Sequence, residues 1–459
     1  MIRAALAELS ASGISPVAAL FLGGTEKVGA RGVEIDLGIP AEWVSASAGA
    51  AGGPAAAWSL SETAGAIRRL VSCYRAEVVI DLSDEPVLDA RRRMQLAAHV
   101  LHAGVPYEGA DFRFWPPPRP VLANRPSVAV IGTGKRTGKT AVSGEVARIL
   151  TAAGRTPVVV AMGRGGPPEP VVVEAGRALD AGALLEIADA GGHAASDFYE
   201  DAATAGVATV GARRCGGGLA GGVSSSNVAQ AVHTANQLPG DLLVLEGSGA
   251  AIPPVHADAT ILIVPGYCDP ELVRGYLGAY RVLLADLVTV TMCESPRSSR
   301  TQVEAVLEAI RSISQRVVVV RTVLRPVPLE PVCGAKVFFA TTAPTPVTAV
   351  LAAYLQERYG CEVVATSSRL ADRPALRAEL EQAGAFDVLL AELKAAAVDV
   401  AARAAAAVGA RTVVCDNRPI VVGPSGEAEG EEAFASVVRA LAGQAEARFA
   451  ESNGGIAGR

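Results

Sequence analysis

Aromatic side chains are scarce in this 459-residue chain, at 4% of the whole, and no basic stripe with interleaved aromatics occurs. That gives a nucleic-acid role little support. Positive charge is not in excess either. Lys and Arg total 41 against 47 Asp and Glu, a net of −6, so any anionic substrate must be met by local cations. The seven cysteines form no CxxC pair and no His cluster accompanies them, which argues against a zinc site or a disulfide framework. No apolar run reaches the roughly 20 residues that a spanning helix needs, and the N-terminal stretch lacks a long apolar signal core. The expectation is a soluble cytoplasmic protein acting on a small molecule, with no nucleic-acid or membrane partner, and assembled as a homodimer.

Half of the residues are hydrophobic, with Ala, Val, Leu and Gly dominant, as suits helices packed on buried parallel strands. The length predicts two or three α/β units. Residues 1–120 read as a small Rossmann-like α/β domain with parallel strands, ending in the proline-stiffened connector "FWPPPRPVLANRPS". Residues 121–330 read as a P-loop nucleotide-binding and substrate domain. Its predicted strands are "SVAVIG", "TPVVVAMG", "DLLVLEG", "ATILIVPG", "LVTVTMC" and "RVVVVRTV", and a long insertion lies between Gly163 and Gly240. An insertion of that length in a compact unit is usually functional. Residues 331–459 continue the strand–helix alternation, including an Ala-rich helix after "DVLLAEL", a final acidic helix from about Gly426 and a frayed tail "ESNGGIAGR". The fold class is α/β: a P-loop NTPase-like parallel sheet flanked by helices, with an α/β region on either side.

The stretch "SVAVIGTGKRTGKTAVSGEVARIL" supplies the strand–loop–helix context of a phosphate-binding loop. Gly132, Gly134 and Gly138 let the backbone approach phosphates, with Thr133, Thr137 and Ala141 completing the loop and the first turn of its helix. The helix N-terminus adds partial positive charge. Lys139 is placed for the β- and γ-phosphates of ATP and Thr140 for a Mg²⁺ ion. The glycine expected five residues before Gly138 is replaced by Thr133, and Gly132 and Gly134 flank it. Lys135 and Arg136 are extra cations, either neutralising transition-state charge or forming a solvated loop edge.

A second metal ligand is expected at a strand end, and Glu246 in "LLVLEGSG" meets that need, since Mg²⁺ favours carboxylate oxygen. Thr291 and Glu294, after another strand, are candidates for the nucleotide base. Arg164 sits among glycines. His193, Ser196, Asp197, Glu200 and Asp201 crowd one polar stretch, and Arg213 and Arg214 precede three glycines as a candidate site for a dense anion. Each piece alone reads as a polar loop. Lys394 follows a strand at a helix start, which is electrostatically poor for the helix unless an anion binds there. Thr341 and Thr342 end a further strand, where hydroxyls can cap or bind phosphate, and Asp399 reads as a helix-face carboxylate. In the first segment Gly23, Gly24, Thr25, Lys27 and Asp81 lie at strand ends, with Asp84 as a helix cap.

The loop "GTGKRTGKT", with a glycine six residues before its Gly-Lys-Thr, resembles that of dethiobiotin synthetase-like enzymes. Taken in order, "GTGKRTGKTA", "AMGRGGPPEP", "HAASDFYEDA", "RRCGGGLAGG", "LEGSGAAIPPV", "DVLLAELKAAAVDVA" and "CDNRP" resemble the cyclic 2,3-diphosphoglycerate synthetase family, and "DLSDEP" and "DFRF" extend the likeness over nearly the whole chain. The resemblance implies an enzyme that uses ATP and Mg²⁺ to close 2,3-diphosphoglycerate into its cyclic phosphoanhydride, releasing ADP and phosphate. The acceptor carries about five negative charges, so repulsion from ATP must be offset locally. Lys135, Arg136, Lys139, Arg164, Arg213, Arg214 and Lys394 are the expected catalytic cations. Two rivals are a kinase or ligase acting on another phosphorylated acid, such as 2-phosphoglycerate, and a nucleotide-switch ATPase. Switch ATPases often place a lysine directly after the first loop glycine, where this chain has Thr133.

Overall fold

The computed structural model describes residues 2–22, 37–44, 59–85, 87–394 and 397–454. They form two compact units. The first comprises Met1–Pro116, Glu271–Leu284 and Ser312–Gln315, and the second Pro117–Pro270, Ala285–Arg311 and Arg316–Arg459. None of the described helices is long and apolar enough to cross a membrane.

In the first unit β1 (Ala19–Leu22) pairs parallel with β2 (Ala41–Val44). A second small sheet pairs β3 (Val79–Ile80) parallel with β4 (Tyr107–Glu108), which turns back antiparallel onto β5 (Arg113–Phe114). Helix Ala90–His102 begins at Asp89, whose carboxylate accepts the amide of Arg92 at 2.7 Å. The cap is therefore Asp89 rather than Asp84, because the chain turns at Asp84 and enters the helix five residues later. Asp81 is a structural hub. It accepts from the Ser83 amide at 2.8 Å, Arg93 Nε at 2.7 Å and the Tyr107 hydroxyl at 2.8 Å. Burial works against its charge, but these donors outweigh it and hold the carboxyl below its ordinary range. Helix Gly278–Leu284, from far along the chain, packs against Ala90–His102 within this unit. Gly23, Gly24, Thr25 and Lys27 lie outside the described residues.

The second unit is built on one thirteen-stranded sheet. Its strands are β6 (Ser127–Gly132), β7 (Pro157–Gly163), β8 (Val171–Val173), β9 (Thr209–Cys215), β10 (Ser225–Ser226), β11 (Leu242–Glu246) and β12 (Ala259–Pro265), followed by β13 (Leu287–Thr291), β14 (Val318–Pro328), β15 (Lys336–Ala340), β16 (Glu362–Ser367), β17 (Val388–Glu392) and β18 (Arg411–Val421). The order runs β10-β9-β7-β11-β6-β12-β13-β14-β18-β17-β15-β16, with β8 on β9. Strands β6, β7, β11, β12 and β13 are apolar runs buried on both faces, as central parallel strands must be. Val130 and Ile131 are fully buried, and burial of such a side chain contributes about 1.5–3 kcal/mol. Buried Asp258 fixes the start of β6, accepting from both the amide and the hydroxyl of Ser127.

The insertion expected between Gly163 and Gly240 is instead part of the sheet. Helices Ala181–Asp189, Asp197–Ala205 and Val228–Ala235 cover it, and β9 runs parallel to β7. The sequence hid β9 because "TVGARRC" interrupts its apolar residues with a glycine and two arginines. The Ala-rich helix also differs from expectation: Ala397–Ala402 is a π-helical turn, followed by a short α-helix Arg403–Ala407. The last helix runs Glu431–Gly454, so Glu451–Gly454 of the expected tail are helical.

The long strand β14 joins two strand sets that run in opposite directions. Its first half pairs parallel with β13, ending at Val290 opposite Arg321. Its second half, Thr322–Pro328, pairs antiparallel with β18. Strand β17 runs parallel to β18 and reaches Glu392 opposite Cys415, which itself lies opposite Pro328. The carboxyl ends of the two sets therefore point at each other across the length of Thr322–Pro328. The boundary expected near residue 330 falls just beyond β14, and the sheet continues across it.

Candidate active site

A cavity of about 590 Å³ opens between these facing strand ends, with Leu324 of β14 and Asn417 of β18 on its wall. Carboxyl ends of parallel strands are where α/β sheets bind ligands, and here two sets serve one cavity.

One wall is the phosphate loop. Gly138 sits at φ +92° and caps helix Lys139–Ala152, a conformation that side chains rarely adopt. At Gly132 a Cβ would come within 2.9 Å of Lys139 Cδ and Thr137 Oγ1, so a side chain there would push both loop residues out of place. Arg136 takes a left-handed φ of 58°. Lys139 is buried, and its ammonium donates to the Gly134 carbonyl at 2.9 Å. Burial lowers its pKa, while Glu246 and Asp197 oppose the fall. The loop is braced from behind: the Thr291 hydroxyl donates to the Thr137 carbonyl at 2.7 Å, and the Thr133 amide to the Ile263 carbonyl at 3.2 Å. Thr291 is fully buried, so it supports the loop and is not a cavity residue.

Beneath Lys139 lies a group of buried carboxyls. Burial and the charge of Asp197 raise Glu246, while the neighbouring Asp201 carboxyl, Lys139 and the Thr140 hydroxyl oppose the rise. Asp201 is raised well above its ordinary value, by burial and by Glu246. Both Asp201 oxygens and Glu246 Oε2 lack any conventional hydrogen-bond partner. A carboxylate beside a threonine hydroxyl, with a buried oxygen to spare, fits a hard divalent cation. Thr140 and Glu246 are the residues that would hold it. No group of three His, Cys, Asp or Glu suited to a metal occurs among the described residues, so water and phosphate oxygens would complete the shell.

The opposite wall follows β15, β17 and β18. Glu392, 4% exposed, accepts from the hydroxyls of Thr341 at 2.6 Å and Thr342 at 2.7 Å, the Thr342 amide at 3.0 Å and Asn417 Nδ2 at 3.0 Å. The threonine hydroxyls, expected to cap or bind phosphate, are thus turned to Glu392. Lys394 reaches across to Glu200, Nζ lying 2.8 Å from both carboxylate oxygens. That carboxylate, rather than a bound anion, answers the lysine's poor position at a helix start. Burial pushes Glu200 up to about 8, with Lys394 opposing the rise. Burial also works against the Lys394 charge, but Glu200 outweighs it and holds the ammonium above its ordinary value. Asp399 pairs with Arg373 on the surface.

The structure gathers Lys135, Arg136, Thr137, Gly138, Lys139, Thr140, Ala141, Arg164, Glu246, Glu294 and Lys394 around the cavity, joined by His193, Ser196, Asp197 and Glu200. Glu294 is held by Arg325, one contact being 2.7 Å. Gly132, Thr133 and Gly134 shape the loop without lining the cavity. The expected double-arginine anion site divides, because successive residues of β9 point to opposite faces. Arg213 is exposed and Arg214 is buried, and neither lines the cavity. Arg214 donates to the carbonyls of Gly216 at 2.5 Å and Ser248 at 2.9 Å, bracing the turn after Glu246. Sequence reasoning missed Arg297, Glu392 and Asn417. "CDNRP" and "AELK" carried a signal for the latter two. Arg297 carried none.

An α/β sheet with a phosphate-binding loop at the carboxyl end of its strands defines a P-loop nucleotide-binding protein. Family models described as the P-loop, C-terminal and N-terminal domains of cyclic 2,3-diphosphoglycerate synthetase match residues 127–323, 328–418 and 1–115. Curated relatives of that name are 46% identical over 416 residues in Rubrobacter xylanophilus, 90% of each chain, and 46% identical over 362 residues in Methanothermus fervidus, 78% of each chain. A third, from Methanothermobacter thermautotrophicus, is 46% identical over 380 residues, 82% of each chain. The chain belongs to the cyclic 2,3-diphosphoglycerate synthetase family.

Proposed function

We propose that this protein closes 2,3-diphosphoglycerate into cyclic 2,3-diphosphoglycerate at the expense of ATP, releasing ADP and phosphate. The observation that carries the reading is the two-walled cavity: a phosphate loop on one side and, facing it, strand ends that present Lys394 to the same space. ATP lies with its phosphates on the loop amides and Lys139. The acceptor occupies the opposite wall, within reach of Lys135, Arg136, Arg164 and Lys394. These cations offset the repulsion between two polyanions.

A phosphate oxygen of the acceptor attacks the γ-phosphorus of ATP, the bond to ADP breaks, and a pyrophosphoryl group remains on the acceptor. The neighbouring phosphate then attacks the inner phosphorus of that group. The ring anhydride forms and the outer phosphate leaves. Intramolecular proximity makes the second step efficient. Both nucleophiles are already ionised near neutral pH, so no strong general base is required. A Mg²⁺ ion held by Thr140 and Glu246 would neutralise charge on the transferring group.

The test is ³¹P NMR of the protein with Mg²⁺, ATP and 2,3-diphosphoglycerate. The expected result is a pair of coupled anhydride resonances, with ADP and phosphate released in equal amounts. ATP consumption without cyclisation, or turnover only with a monophosphorylated acid, would replace this reading with a kinase.

A further inference from the structure

The Glu200–Lys394 pair crosses the cavity. Lys394 follows β17 on the acceptor wall, and Glu200 lies in the first turn of helix Asp197–Ala205 on the loop wall. An ammonium carries three N–H bonds. Two are directed at the Glu200 oxygens, and the lysine side chain is still 33% exposed, so one donor remains for a ligand. Glu392, two residues before the lysine, is occupied by Thr341, Thr342 and Asn417. The position of Lys394 is therefore set from the opposite wall.

That wall is bonded to the phosphate-loop helix. Arg148, on the loop helix, donates to the Thr204 carbonyl at 3.0 Å, and the Thr204 hydroxyl donates to the Glu200 carbonyl at 2.8 Å. Gly144 permits this close approach, since a Cβ there would lie 3.2 Å from Thr204 Oγ1. Glu200 is thus tied to the helix that begins with Lys139.

We infer that Glu200 is a positioning residue for ring closure: by holding Lys394 it registers the acceptor phosphate against the phosphate loop and couples ATP cleavage to cyclisation. The inference rests on the function proposed above. Without that register the pyrophosphoryl group is open to water, which returns 2,3-diphosphoglycerate and phosphate while ADP accumulates.

The test compares wild type with Glu200→Ala, Glu200→Gln, Lys394→Met and the double variant Glu200→Ala/Lys394→Met, following ADP and cyclic product together. Glu200→Ala is expected to lower kcat/KM for 2,3-diphosphoglycerate by about tenfold or more. The ratio of ADP to cyclic product should rise above that of wild type, with Mg·ATP affinity changed less than about twofold. Glu200→Gln, which keeps one acceptor oxygen, should recover part of the coupling. The double variant should be no worse than Lys394→Met, because Glu200 acts through the lysine. Unchanged coupling in Glu200→Ala, a parallel loss of ATP affinity, or additive losses in the double variant would overturn the inference. A wild-type protein that makes no cyclic product would instead overturn the functional reading, and this role with it.

Discussion

At the scale of single residues, the site separates groups that face the cavity from groups that hold those groups still. Thr291 is of the second kind. Thr291→Val keeps the shape but leaves the Thr137 carbonyl without its donor. The expected cost is about 1–3 kcal/mol, read as a lower Tm together with weaker nucleotide binding by calorimetry. Asp201 and Glu246 differ in the same way. Burial and Glu246 raise the Asp201 carboxyl, so the uncharged Asp201→Asn keeps its shape and should stay within about tenfold of wild-type turnover. Glu246→Gln removes the charge that would meet the metal, and is expected to cost about 10²-fold or more in turnover. Steady-state assays across Mg²⁺ concentrations separate the two. Glu246 was legible in the sequence because it closes an apolar strand. Asp201 was visible only as one acid among several, since its contact comes from a different element.

At the scale of elements, helix Asp197–Ala205 brings Glu200 and Asp201 beneath the loop beside Glu246 from β11. Burial raises all three carboxyls, Glu200 to about 8. Their folded-state pKa values exceed the ordinary values, so the folded protein holds protons that the unfolded chain releases. The stability they contribute is complete below an ordinary pKa of about 4.5 and is lost as pH rises through the folded values. The Tm of metal-free protein should therefore fall from about pH 5 to 8.5. Added Mg²⁺ should restore it most at the upper end, where the carboxylates are charged. Strands β6, β11 and β12 were readable because central parallel strands are apolar throughout. Strand β9 was not, because its arginines serve opposite faces. Nor was the Glu200–Lys394 pair, whose members lie 194 residues apart. Local patterning carries no record of such a meeting.

At the scale of the whole molecule, the first unit borrows Glu271–Leu284 from the middle of the chain. A fragment beginning at Pro117 deprives helix Gly278–Leu284 of its packing against Ala90–His102 and uncovers Tyr280 and Val282, each 1% exposed in the intact protein. Such a fragment is expected to bind a hydrophobic dye and aggregate on gentle heating. Replacing 271–284 with a short Gly-Ser linker should reverse both. Strand β14 has a different reach. The stretch Thr322–Pro328 separates the two sets of strand ends, and seven extended residues span about 20 Å. The reaction chamber thus has a built-in ruler. Because strand faces alternate with period two, the ruler can change length only in steps of two residues, about 7 Å, without turning its inner side chains outward. Substrate size is graduated in the peptide backbone before any side chain is chosen.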